Sequence, residues 1–291
     1  MKKLLLVAVL MSQSLSATPA MAQQQNSRAA DMNTVPNPIR AATTVWMEEM
    51  SVLDVRDALR NGMTTALIMT GGIEQNGPYL TTDKHNQVLR AVGTSIARRL
   101  GNTIITPVIT IEPGNPVTTT TPGAIRLTPE TFRAVLRDYA TSLKTQGFRN
   151  IIMIGDNGGN QDHMDAVAEE LTAAWGTSPV HVMFIPEYYE EDIWSCEYLL
   201  TLNVRQQPAE CSATRDLYHD DYHYTAIIAT GAPEHIKLEQ RREAGLASIN
   251  GVSLEPFETT LANGWKLIEH RTVISVRAIR KAMAASTQSG G

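Results

Sequence analysis

The sequence predicts an α/β fold, a mostly parallel sheet flanked by helices. Three observations carry this. Short apolar runs alternate with segments of helical period, polar or glycine-bearing turns bound each run, and residues 46–284 are enough chain to bury one large core. TTALIMT (64–70) is the first strand candidate. A helix follows in NQVLRAVGTSIARRL (86–100), where Val88, Leu89, Val92, Ile96 and Leu100 fall on one face. NTIITPVITI (102–111) is the next strand candidate. TPETFRAVLRDYATSLKTQ is a helix opened by Thr128, with Pro129 at its first position. NIIMIGDN (150–157) is a third strand, MDAVAEELTAAW (164–175) a helix, and HVMFIP (181–186) a fourth strand.

The ends of the chain read differently. MKKLLLVAVLMSQSLSATPAMA has two lysines, an apolar run from Leu4 to Met11 and a small-x-small ending, the layout of a signal peptide over 1–22 cleaved before Gln23. The apolar run is too short to span a bilayer. Residues 23–45 read as a flexible leader, 46–284 as a single domain and 285–291 as a polar tail, so the expected location is the periplasm. A net charge of −5 argues against nucleic acid or an anionic membrane as partner, because either favours a basic face. The two cysteines, Cys196 and Cys211, share one polar stretch; a disulfide across that loop and a free pair both remain open.

In open parallel sheets ligands bind beyond the carboxyl ends of the strands. Two such ends are rich in chemistry. GGIEQNGPYLTTDKHN (71–86) holds Glu74, Gln75, Asn76, Asp83, Lys84 and His85, and GDNGGNQ (155–161) holds Asp156 and Asn157, with Asp162 and His163 just after. A third cluster, YHDDYHYT (218–225), holds His219, Asp220, Asp221 and His223. Hydrolytic metal sites mix carboxylate oxygen with imidazole nitrogen and leave one coordination position for water. Each piece also has a plain structural reading. Glu74 can cap a helix or pair with Lys84, Gly158-Gly159 can be a tight turn, Asp162 and His163 can sit solvated on the first turn of a helix, and HDDYH can be an exposed loop. Their common placement at strand ends favours a site.

The order EQNGPYL, PGAIRLTPETF, IGDNGGNQ resembles the creatininase family of metal-dependent amidohydrolases, whose members look like EQHGPHLPLxTD, PGTISLxPETF, NGHGGN and HAGxxET. The resemblance runs from about Trp46 to about Met283 and implies a three-layer sandwich. It aligns Glu74 with the family's first metal-binding glutamate. Asn76 stands where the family has a ligand histidine. In an ungapped register His85 stands at the bridging aspartate, with Asp83 as the competing match. Asn157 stands at the histidine of GHGGN, beside an added carboxylate, Asp156. His219 matches the last motif's histidine, and Tyr224 falls where an acidic residue is expected.

The resemblance therefore implies hydrolysis of a C–N bond in a linear or cyclic amide, on a small molecule or a peptide. The implied cofactor is one divalent ion (Zn, Mn or Fe) per site, held from among Glu74, His85, Asp156, Asn157 and His219. Replacing a bridging carboxylate by an imidazole, and losing the imidazole at Asn76, disfavours two metals. Glu74 and His219 are the expected catalytic groups, and Gly158-Gly159 the expected oxyanion turn. The competing reading is a creatininase-like binding or structural protein with a degraded metal site, supported by Asn76, Asn157 and Tyr224. Metal-free hydrolysis by a serine or cysteine nucleophile is disfavoured, because no GxSxG occurs and both cysteines share a loop that a disulfide can bridge. Family members commonly form rings, which implies a homo-oligomer. Tyr188, Tyr189, Trp194 and Tyr198 are candidates for a lid, an intersubunit contact or plain core.

Overall fold

Thr65–Thr70, strand β1, is buried at every position, as an interior strand of a sheet covered on both faces must be. A computed structural model describes residues 31–189, 192–206 and 219–288 and shows β1 in the middle of a four-stranded parallel sheet. In chain order the elements around it are α1 (Val52–Arg60), α2 (Lys84–Leu100), β2 (Thr103–Ile105), α3 (Pro129–Gln146), β3 (Asn150–Gly155), α4 (Gln161–Trp175) and β4 (His181–Phe184). After the sheet come α5 (Asp192–Thr201), α6 (Tyr222–Ala229), α7 (Leu238–Glu243), the short pair β5 (Ser248–Ile249) and β6 (Val252–Ser253), and α8 (Phe257–Gln288). The strand order is β2-β1-β3-β4.

Alternation along each central strand sorts the core into two layers. Leu67 and Met69 of β1 and Ile152 and Ile154 of β3 face a cluster with Val88, Leu89, Ile96, Ile227 and Ile279, contributed by α2, α6 and α8. Ala66, Ile68, Ile151 and Met153 face the other way, onto Phe132, Leu136, Met164 and Val167 from α3 and α4. The predicted α/β architecture is what forms.

Local signals act as their chemistry predicts. Thr128 caps α3 by accepting from Thr131 N, with Pro129 at the first position, and Gly147 ends the helix in the left-handed region at φ +104°. Ser51 and Asp54 cap α1 reciprocally. One expected strand is much shorter than its apolar run. β2 stops at Ile105 because Pro107 has no N–H to give a ladder, and beyond it only a bridge from Thr70 to Ile109 continues the pairing.

The compact unit runs from Arg40 onward. The separate unit 1–39 contributes, among described residues, a turn in which Thr34 N donates to Asp31 O at 2.9 Å. The expected signal peptide and Cys211 lie outside the described residues, as do the side chains of Cys196 and Trp194. No described helix is long and apolar enough to cross a membrane.

The register matters most for function. Thr70 of β1 pairs with Gly155 of β3, so the segments starting at Gly71 and Asp156 leave the sheet side by side. That shared exit brings two distant motifs together.

Candidate active site

The first segment turns tightly over the strand ends. A β-carbon at Gly71 would collide with the Asn86 amide, and one at Gly72 with the Glu112 carboxylate, so the two glycines are set by close approach of other groups. Asn76 Nδ2 donates to Thr81 O at 2.9 Å and to Glu74 O at 3.3 Å. It braces the turn, which accounts for a neutral amide at a position where the resemblance calls for a ligand.

Glu74, His85, Asp156, Asn157 and His219, from the three predicted clusters, converge. His85, on the first turn of α2, is held between two carboxylates. Its Nε2 lies 2.5 Å from Glu74 Oε1 and its Nδ1 lies 3.1 Å from Asp156 Oδ2. Asn157 Nδ2 donates to Glu74 Oε2 at 3.2 Å. His219 Nδ1 sits 3.4 Å from Glu74 Oε1 and 3.2 Å from the carbonyl of Gln75. The ungapped register is therefore the one that puts a side chain in the site. Asp83, the competing match, turns instead to His235, Thr81 and Gln87.

Two buried cations complete the network. Lys84, fully buried, places Nζ 3.7 Å from Glu74 Oε1, donates to His219 O at 3.2 Å, and lies 4.6 Å from the centre of the Tyr224 ring. Arg271 of α8 reaches Asp156, Nη1 to Oδ1 at 2.9 Å, while Tyr188 OH donates to the same oxygen at 3.3 Å. Exposure divides the group into two layers. Lys84, His85, Asp156 and Arg271 form a closed floor, whereas the side chains of Glu74 and His219 remain 12% and 22% exposed. Any substrate meets Glu74 and His219 first.

Charge follows from this packing. Burial pushes the Glu74 carboxyl up, but the hydrogen bond and charge of His85, then Lys84 and His219, bring it to about 2 from 4.5. For His85, burial and the Lys84 ammonium pull the imidazole down, and the bonds to Asp156 and Glu74 more than offset them, so its pKa is raised. Burial lowers Lys84, opposed chiefly by Glu74. A carboxyl whose folded pKa is depressed contributes stability above its unfolded pKa and loses it on acidification. Glu74 should therefore contribute about 3 kcal/mol at neutral pH, lost as pH falls from 4.5 toward 2. Urea midpoints measured across that window should fall more shallowly in Glu74→Gln than in the unaltered protein.

Other predicted residues go elsewhere. His163 accepts from Arg133 Nε at 2.9 Å and packs on Phe132. Asp220 is buried in an ion pair with Arg241, 2.8 Å, which anchors the loop behind His219. His223 is buried and packs against Tyr224, the ring centres 4.0 Å apart and the planes tilted by 37°. The Gly159 N–H, the expected oxyanion donor, is directed at Asn157 Oδ1 at 2.9 Å, and α4 begins only at Gln161. Gly158 serves packing, since a β-carbon there would meet Tyr189 OH at 3.0 Å. Tyr188 is wholly buried under Arg271, core and site floor at once, and Tyr198 stacks on His270.

Two participants were missed by sequence. Arg271 is a cation among the apolar positions of a long helix, a signal that would have found it. Glu112, 2% exposed, accepts from Ile73 N at 2.6 Å and pairs with Arg126 beside the turn. Only its place just after an apolar run hinted at that.

The profile of the family described as creatinine amidohydrolase (creatininase) matches residues 48–280. The chain belongs to this family. No match to a curated protein is found. A solved creatininase superposes with a TM-score of 0.57 at 16% identity, covering 84% of this chain and 98% of the other. A mutant creatininase complexed with creatine gives 0.55 at 17%, covering 84% and 99%, and a manganese form gives the same values. At such identity these matches establish the creatininase fold.

Does a divalent ion fit this member's donors? Among the described residues no group of three or more His, Cys, Asp or Glu is set out to hold a metal. The donor chemistry explains why. Both ring nitrogens of His85 face carboxylates, Glu74 is shared by His85, Lys84 and Asn157, and Asp156 by His85, Arg271 and Tyr188. Two carboxylates are already matched by two buried cations. An added dication would have to displace Lys84 from Glu74 or Arg271 from Asp156 and enter a buried pocket, at a heavy desolvation cost. The expected ligand set converges but does not fit a divalent ion. A separate groove of about 580 Å³ between α2 and α8, lined by Arg98, Arg99, Trp265 and Glu269 among others, contains none of the network.

Proposed function

We propose that this creatininase-family protein is exported to the periplasm and hydrolyses the C–N bond of a small linear or cyclic amide, as a homo-oligomer, with its own side chains moving the protons. The observation that carries the reading is the unbroken line Glu74–His85–Asp156, with contacts of 2.5 and 3.1 Å, which opens to solvent only at Glu74. Export rests on the first 22 residues, and assembly on the family resemblance. The family's chemistry supplies the reaction class.

With the His85 imidazole neutral, a water at Glu74 gives a proton to the Glu74–His85 pair as its oxygen bonds to the amide carbon, which leaves Glu74 ionised and His85 as imidazolium. The pair acts as one acceptor, because groups this strongly coupled titrate together. Asp156 stabilises the imidazolium form of His85 and fixes its ring, with Arg271 in turn holding Asp156. As the C–N bond breaks, the departing nitrogen takes its proton from His219. An imidazole suits this because its ordinary pKa lies near working pH.

The test is release of amine or ammonia from a panel of lactams and linear amides, after exhaustive dialysis against EDTA. Turnover that survives chelation and disappears in Glu74→Gln is the expected result. Turnover abolished by EDTA and restored by zinc or manganese overturns the metal-free mechanism. A panel bound but never hydrolysed favours the second reading, a binding protein. Asn76 and Asn157 support that alternative, since both brace structure where the resemblance calls for ligands.

A further inference from the structure

We propose that the Lys84 ammonium is a resident cation that takes the place of a metal ion, holding Glu74 and His219 in position and keeping divalent ions out. This rests on the site geometry above, and on the hydrolytic reading only for its catalytic consequence. Lys84 is wholly buried, and its nitrogen is surrounded by a carboxylate at 3.7 Å, a backbone carbonyl at 3.2 Å and an aromatic face at 4.6 Å. Acidic, oxygen-rich and cation-receptive, that set would suit a small positive ion, and the ammonium fills it.

Two further facts make the placement purposeful. Lys84 opens α2, where the helix dipole disfavours a positive side chain, so the local helix does not account for it. The carbonyl it bonds belongs to His219, whose backbone sits at φ +54°, a left-handed conformation that is unfavourable for a residue with a β-carbon. One side chain thus ties the strained histidine to the carboxylate that it faces. Lys84 is a positioning residue, since it is closed off from substrate. A fixed monovalent charge beside Glu74 also repels a dication approaching the same oxygen.

The test uses the mature chain and Zn²⁺ or Mn²⁺ alone, by calorimetry and by metal content after gel filtration. The unaltered protein should bind neither ion at this site. Lys84→Met, of similar length and no charge, should gain Zn²⁺ affinity at least tenfold, the gain being abolished by a second change, Glu74→Gln. Lys84→Arg, which keeps the charge, should gain none. Stoichiometric Zn²⁺ binding by the unaltered protein that Glu74→Gln abolishes overturns the proposal, whether or not the variants fold. So does a folded Lys84→Met, checked by its melting curve, that gains no affinity. Because the readout is metal binding, failure to find a hydrolysable amide leaves this result standing, and the two failures are distinguishable.

Discussion

His85→Gln should lower amide turnover by roughly 10³-fold while leaving most of the stability in place. The magnitude is that of losing a positioned acid–base group, 10²–10⁴. Glutamine roughly preserves the volume and can still hydrogen-bond one carboxylate, but it cannot share a proton with Glu74 as an imidazole does. The prediction separates chemistry from packing. His85→Ala removes the relay and also leaves a cavity between α2 and the strand ends, so it should lose the same turnover and additionally melt several degrees lower. A His85→Gln protein with the activity of the unaltered chain would end the relay mechanism. The pH profile gives a second readout, because removing one of two strongly coupled groups should change the shape of the acid limb and not merely its height.

The sheet was legible in sequence because its signals are local. Apolar runs of strand length, the Thr128-Pro129 cap and the polar turns each depend on a few neighbouring residues, and the tertiary structure agrees with them. β2 was overestimated for a reason equally local, a proline whose missing N–H outweighs the apolar run around it. The site was legible in part. Parallel strands ending together put Glu74, His85 and Asp156 within reach, and the choice of His85 over Asp83 follows from helix register. Charge compensation was not legible. Lys84 lies next to His85 in sequence, but that it points inward rather than to water depends on Tyr224 and His219, some 135 positions away along the chain. Arg271 comes from α8, which has no motif. The family resemblance therefore implied a metal centre, whereas the three-dimensional charge balance belongs to a hydrogen-bonded network. The swap is visible only in the assembled pocket. An imidazole stands at the position resembling the family's aspartate, and a carboxylate stands beside the position resembling its histidine, so the pair His85–Asp156 retains one acid and one imidazole in reversed order.

Arg271→Met is expected to be the most destabilising single change in the site, at about 3–5 kcal/mol, the range for removing one partner of a buried ion pair. Asp156 is completely buried, and without the guanidinium it would keep only His85 and the Tyr188 hydroxyl. Arg271 also donates to Tyr188 O at 3.1 Å and stacks on that ring at 4.1 Å, so the loop carrying Tyr188 should loosen with it. Removing the charge from both partners tests the cause. Asp156→Asn with Arg271→Met should recover a large part of the loss, because the uncompensated carboxylate, rather than the missing contact, is the main cost. Urea unfolding of the unaltered protein, the two single variants and the double variant closes the cycle. If the losses simply add, the guanidinium acts through packing alone and the charge-balanced floor is not what holds the site together. If the double variant recovers stability but not turnover, the same pair of charges is needed twice, once to let the pocket fold and once to keep His85 aimed at Glu74.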